Sequence, residues 1–138
     1  MSMDGPIDVT LPRPRILVVD DETDTLLVTD AMLSARGYEV VLASSGASAL
    51  DAVEQGADAI LLDVMMPEMS GLEVLAHLRE TPRLARIPVI LLTARQRDRD
   101  LLDGYQHGAD YYITKPCTLD QILYGLRLVL SKGGARGS

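Results

Sequence analysis

Five polar side chains stand where apolar runs stop. Asp20 and Asp21 follow Ile16–Val19, Asp63 follows Ala59–Leu62, Thr93 follows the run from Pro88 to Leu92, and Lys115 follows the run from Asp110 to Thr114. Three carboxylates brought to one place repel one another and persist together only around a cation. An all-oxygen donor set favours Mg2+, which keeps several waters and accepts one or two carboxylates together with phosphate oxygens. A lysine ammonium is a compact charge suited to a phosphoryl oxygen, and a threonine hydroxyl can donate to another. Those residue types therefore point to phosphoryl transfer onto a carboxylate, with Asp63 as the acceptor.

The chemistry requires that residues 95 positions apart meet, and the elements around them supply the means. A short apolar run without polar alternation reads as a strand covered on both faces, and such strands belong to parallel sheets whose ligands gather at the carboxyl edge. Strands are expected at Ile16–Val19, Tyr38–Ala43, Ala59–Leu62, Pro88–Leu92 and Asp110–Thr114, the last short and polar enough for an edge. Helical spacing links them. Thr23 or Asp24 can cap a helix that carries Leu26, Leu27, Ala31 and Leu33 and stops at Gly37; Ser45–Gln55 forms another, ended by Gly56. Ser70 and Glu73 make a capping-box pair for a helix that ends before Pro82, as do Thr118 and Gln121 for the last helix, with its stripe of Leu119, Ile122, Leu123, Leu126 and Leu130. A fourth helix is expected over Arg95–His107, with Gly108 beyond its end. Alternating strands and helices predict an α/β fold, a doubly wound five-stranded parallel sheet.

Composition narrows the classes. The 138 residues suit one domain that folds without staples. Phe and Trp are absent, so Leu, Ile, Val, Ala and Met must build the core. A net charge of −7 argues against a surface that grips nucleic acid through its phosphates. Cys117 is the single cysteine, which excludes an internal disulfide, fits a reducing compartment and suits a small core hydrophobe. No run approaches a membrane span and no signal-length apolar stretch opens the chain, so a cytoplasmic location is expected. Residues 1–14, with Pro6, Pro12 and Pro14, read as a disordered leader; residues 132–138 read as a flexible Gly-rich tail.

Taken singly these residues are bland. Asp20 and Asp21 would be a helix cap and first-turn acid, Thr93 a polar strand end, Lys115 a solvated lysine, and His77 and His107 surface residues. Their conjunction carries the reading. An Asp-nucleophile phosphatase of the haloacid dehalogenase type would want Asp-x-Asp after its first strand, which Asp20–Asp21–Glu22 does not provide. A dinucleotide fold would want glycines where the sequence has DDETD.

The motifs ILVVDDE, LLDVMMP, ILLTA and YITKP, with 30 residues from Asp63 to Thr93 and 52 from Asp63 to Lys115, resemble the receiver domain of two-component response regulators over about residues 15–131. The resemblance implies a flavodoxin-like (βα)5 fold with strand order 2-1-3-4-5. It makes Asp63 the phosphoacceptor and Asp20 and Asp21 the Mg2+ pair, Asp21 favoured as direct ligand and Asp20 placed to act through water. Met65 would offer the metal its backbone carbonyl. Thr93 would be the switch hydroxyl, Lys115 the phosphate-binding lysine, Tyr112 the aromatic switch, and the Lys115–Pro116 bond would be cis. Cys117 departs from the phenylalanine most common there. The implied partner is a sensor histidine kinase or histidine phosphotransfer protein. The surface around the fourth helix, fifth strand and fifth helix would be read by a second copy or a downstream target, without direct nucleic-acid or membrane binding. Such a chain is a signalling switch and not a turnover enzyme. The rival role is a docking scaffold that works without phosphorylation.

Overall fold

The computed structural model describes residues 13–94 and 108–137. The chain runs β1 (Arg15–Val19), α1 (Thr23–Ser34), β2 (Glu39–Ala43), α2 (Gly46–Val53), β3 (Ala59–Asp63), α3 (Gly71–Glu80), β4 (Val89–Ala94), β5 (Tyr111–Lys115) and α4 (Leu119–Gly137). The five strands form one parallel sheet in the order β2-β1-β3-β4-β5, as the resemblance implied. The helix expected over Arg95–His107 lies outside the described residues, as does the leader up to residue 12. The fifth helix expected from the sequence is accordingly α4 here, and its backbone stays helical to Gly137, into the Gly-rich stretch expected to form a tail.

Alternation along the strands builds two apolar interiors. Leu17, Val19, Ile60, Leu62, Val89 and Leu91 face α2 and α3, where Val53, Val74, Leu75 and Leu78 meet them. Ile16, Val18, Leu61, Ile90, Leu92 and Ile113 face α1 and α4, meeting Leu26, Leu33, Ile122, Leu123 and Leu126. This is the physical content of the unbroken apolar runs: both faces of each central strand are covered, so no position needs a polar residue until the strand ends. Tyr111 and Tyr112 pack against opposite interiors, as strand alternation requires.

Two expected caps form as read. Ser70 Oγ accepts from Glu73 N at 3.3 Å while Glu73 Oε1 accepts from Ser70 N at 3.0 Å, and Gln121 N donates to Thr118 Oγ1 at 3.2 Å while Thr118 N donates to Gln121 Oε1 at 2.8 Å. The start of α1 differs. Neither Thr23 nor Asp24 caps it; Glu22 holds the N-cap position without a side-chain bond. Its amide donates instead to Asp20 Oδ1 at 2.9 Å, so the upstream carboxylate takes over part of the capping work.

Candidate functional site

Strand order decides where the acidic residues meet. β1 lies between β2 and β3, so the connection leaving β1 and the end of β3 open on the same edge at the point where the winding reverses. Val19 pairs with Leu62, which sets Asp20 beside Asp63 one step further on. β4 continues the row: Asp63 pairs with Leu92, and Thr93 follows. β5 completes it, with Thr93 paired to Thr114 and Ala94 to Lys115.

The side chains converge accordingly. Asp20, Asp21 and Asp63 place one carboxylate oxygen each within 4.8 Å of one another. Lys115 Nζ stands 3.1 Å from Asp63 Oδ1 and 3.5 Å from Asp20 Oδ2. Asp20 is 2% exposed, Asp63 4% and Thr93 0%, whereas Asp21 is open to solvent. Asp21, Glu22, Asp63, Met65, Ala94 and Lys115 line an open cleft of about 280 Å³. The Lys115–Pro116 bond is cis.

Electrostatics follow from this crowding. Burial, foremost, pushes the Asp63 carboxyl above its ordinary pKa; Lys115 pulls it back down, and Asp20 and Asp21 push it up again. For Lys115, burial alone would lower the ammonium, but Asp63 and Asp20 together outweigh it and the net direction is up. The cluster is thus three carboxylates against one ammonium, with Glu22 a further acid on the cleft wall, and it is short of positive charge. An all-oxygen set of this kind fits a hard divalent cation: Asp20, Asp21 and Asp63 can hold a metal, with Met65 on the cleft wall.

The residues named from sequence are therefore placed together: Asp20, Asp21 and Asp63 in one cluster with Lys115 against Asp20 and Asp63, Met65 on the cleft wall, and Thr93 buried at the adjoining strand end. Tyr112 stands on the neighbouring edge strand, its hydroxyl oxygen buried. His77 is exposed and does not line the cleft; His107 lies outside the described residues. Cys117 is half-buried against the α1–α4 interior, and burial raises its thiol pKa, in keeping with a packing role. Glu22 is a cleft residue that sequence reasoning passed over. Its position directly after the acidic pair was the available signal.

Comparisons with known proteins agree with this geometry. The family model for the response regulator receiver domain matches residues 16–127. The chain is 39% identical over 127 residues to the uncharacterized transcriptional regulatory protein YkoG of Bacillus subtilis, covering 91% of this chain and 55% of that protein. It is 40% identical over 121 residues to the transcriptional regulatory protein KdpE of Mycobacterium tuberculosis, covering 87% and 52% respectively. The chain thus spans about half the length of the curated relatives it matches. Among solved structures, a response regulator receiver domain protein from Clostridium thermocellum superposes with a TM-score of 0.82 at 28% identity, covering 88% of this chain and 98% of that one. The chemotaxis protein CheY4 of Vibrio cholerae does so with a TM-score of 0.79 at 28% identity, covering 86% and 99%.

Proposed function

The chain belongs to the response regulator receiver domain family, and from that premise we propose that Asp63 accepts a phosphoryl group from a phosphohistidine on a sensor histidine kinase or a histidine phosphotransfer protein. The observation that carries the proposal is the 3.1 Å approach of Lys115 Nζ to Asp63 Oδ1 within a cluster of three carboxylates. A buried carboxylate beside one ammonium and two further acids is a poor structural ion pair but a good phosphoryl acceptor.

An Asp63 oxygen attacks phosphorus in line; the P–O bond forms as the P–N bond to the imidazole breaks, and the imidazole leaves with the bonding pair. Lys115, already directed at Asp63, offers its ammonium to the incoming phosphoryl oxygens. Asp20 and Asp21, with the Met65 carbonyl, would hold Mg2+, which neutralises phosphoryl charge when bound. Thr93, buried at the end of β4, offers its hydroxyl to another phosphoryl oxygen, and that inward pull favours entry of the Tyr112 ring toward the space it leaves. The face formed by β5 and α4 then reports the modification to a second copy or a downstream target. The protein so read is a cytoplasmic switch and not a turnover enzyme. Among the described residues no helix is long and apolar enough to cross a membrane. The names of the relatives favour a transcriptional output for a protein that carries this unit.

Incubation with acetyl phosphate and Mg2+ tests the reading. One phosphate adduct per chain is expected by intact-mass spectrometry, absent from Asp63→Asn. No adduct on the parent would leave the docking-scaffold role in its place, and an adduct of equal yield on Asp63→Asn would overturn the assignment of the acceptor to Asp63.

A further inference from the structure

Gly71 opens α3, and its backbone lies directly on that of Asp63. A methyl group at position 71 would stand 2.3 Å from the Asp63 carbonyl oxygen, 3.0 Å from its carbonyl carbon and 2.9 Å from the Val64 Cα. All three are main-chain atoms, so nothing there can swing aside; making room means moving Asp63 and Val64 themselves. The Gly71 amide also donates to the Val64 carbonyl at 2.8 Å. Its φ is not in the left-handed region, unlike those of Gly37, Gly56 and Gly108, so the demand at this position is for space and not for conformation.

The loop between Asp63 and Gly71 is held so that the contact persists. Ser70 and Glu73 lock the first turn of α3. The Met69 side chain lies across Gly46 at the start of α2, where a Cβ would come within 2.8 Å of it. Between these holds Glu68 takes φ 68°, with Met69 N bonded to Pro67 O at 2.7 Å. A left-handed glutamate at the centre of so tight a turn is costly and is kept only when its surroundings over-determine it.

We propose that Gly71 is a positioning residue for the site: by letting α3 rest on the Asp63 and Val64 peptides, it sets how far the acceptor carboxylate and the Met65 carbonyl reach into the cleft. The proposal rests on the phosphoacceptor reading above. Displacement of a reacting group by about 1 Å can cost on the order of a hundredfold in rate, so a contact this close to the acceptor has leverage out of proportion to its size.

The test compares Gly71→Ala with Gly125→Ala, a glycine on α4 whose added methyl would meet the Tyr111 ring at 3.0 Å, away from the cleft. Each is assayed where circular dichroism shows it folded, for Mg2+ affinity by titration calorimetry and for the rate of adduct formation with acetyl phosphate. Gly71→Ala is expected to bind Mg2+ at least threefold more weakly and to form the adduct at least tenfold more slowly, with Gly125→Ala unchanged in both. Should Gly71→Ala not fold, Ser70→Ala, which slackens the same turn, is expected to slow the adduct at least threefold. Rate and Mg2+ affinity within twofold of the parent, in whichever variant is folded, would overturn the proposal. A parent that forms no adduct refutes the phosphoacceptor reading instead, and Mg2+ affinity then decides the positioning role by itself.

Discussion

Lys115 and a divalent cation want the same oxygens. The ammonium already occupies the approach to Asp63 Oδ1 and Asp20 Oδ2, and two positive groups a few ångströms apart repel even under partial screening. Replacing Lys115 with Ala should therefore strengthen Mg2+ binding several-fold while abolishing most adduct formation, a split that calorimetry and mass spectrometry would read separately. Asp63 makes a prediction of the opposite kind. Its pKa is raised in the folded state, chiefly by burial, so the fold prefers the neutral acid. That contribution to stability is present below the unfolded-state pKa and is lost as pH rises through the folded-state value. Without metal, unfolding free energy should fall across the upper part of the acidic range and into the mildly acidic one, and Asp63→Asn should flatten that slope, as urea melts at stepped pH would show. At this scale the sequence was most legible: Asp20, Asp63 and Thr93 are each the first polar residue after an apolar run, Asp21 and Lys115 stand one step further on, and parallel topology alone brings such positions together. Glu22 was missed because its place in the cleft depends on the turn after Asp20, whose side chain captures the Glu22 amide. Its adjacency to Asp21 was the one hint the sequence carried.

At the scale of elements, strands were easier to read than helix ends. The apolar runs located every strand end to within two residues, because burial on both faces leaves no ambiguity of period. Helix starts depended on which side chain captures the free amides. α2 illustrates this: Ser45 Oγ accepts from Ser48 N at 3.1 Å and Ser48 Oγ accepts from Ser45 N at 3.1 Å, a reciprocal cap built from two serines that the usual Ser-x-x-Glu search overlooks. Ser45→Ala should cost about 1 kcal/mol by chemical denaturation. Arg79 was equally hidden. From the last turn of α3 it donates to the carbonyls of Ala85, Ile87 and Gly108 and pairs with Asp110 at 2.8 Å, and Asp110 in turn receives the Val89 amide. One guanidinium thus ties α3 to the amino ends of β4 and β5, a long-range role that local pattern does not carry. Arg79→Ala should destabilise the fold by about 2 kcal/mol, since several charge-assisted bonds to main-chain carbonyls lose their donor together.

For the molecule as a whole, the acidic balance and the site are connected. A chain of net charge −7 that also gathers three carboxylates at one sheet edge carries repulsion there that Lys115 relieves only in part. A cation that binds only the folded state relieves it, and at ten times its Kd contributes about 1.4 kcal/mol by linkage. Thermal melts should accordingly rise by several degrees in millimolar Mg2+, and much less for Asp21→Ala, whose carboxylate is the exposed member of the cluster. The architecture was legible because every step from strand to helix carried its own stop signal, and the order of the strands followed from the family likeness. The register was not legible: only the paired strands show that Thr93 stands level with Thr114 and Ala94 with Lys115.

The division of the interior into two apolar halves has a practical corollary for anyone redesigning this chain. Leu33, Ile122 and Leu126 lie on one side of the sheet, and Val53, Leu75 and Leu78 on the other, with only strand backbone between them. Substitutions in separate halves share no partners, so their costs should simply add. Two small libraries, each screened alone, can then be recombined without a search of their product, and the carboxylates at the sheet's rim need not be disturbed by either.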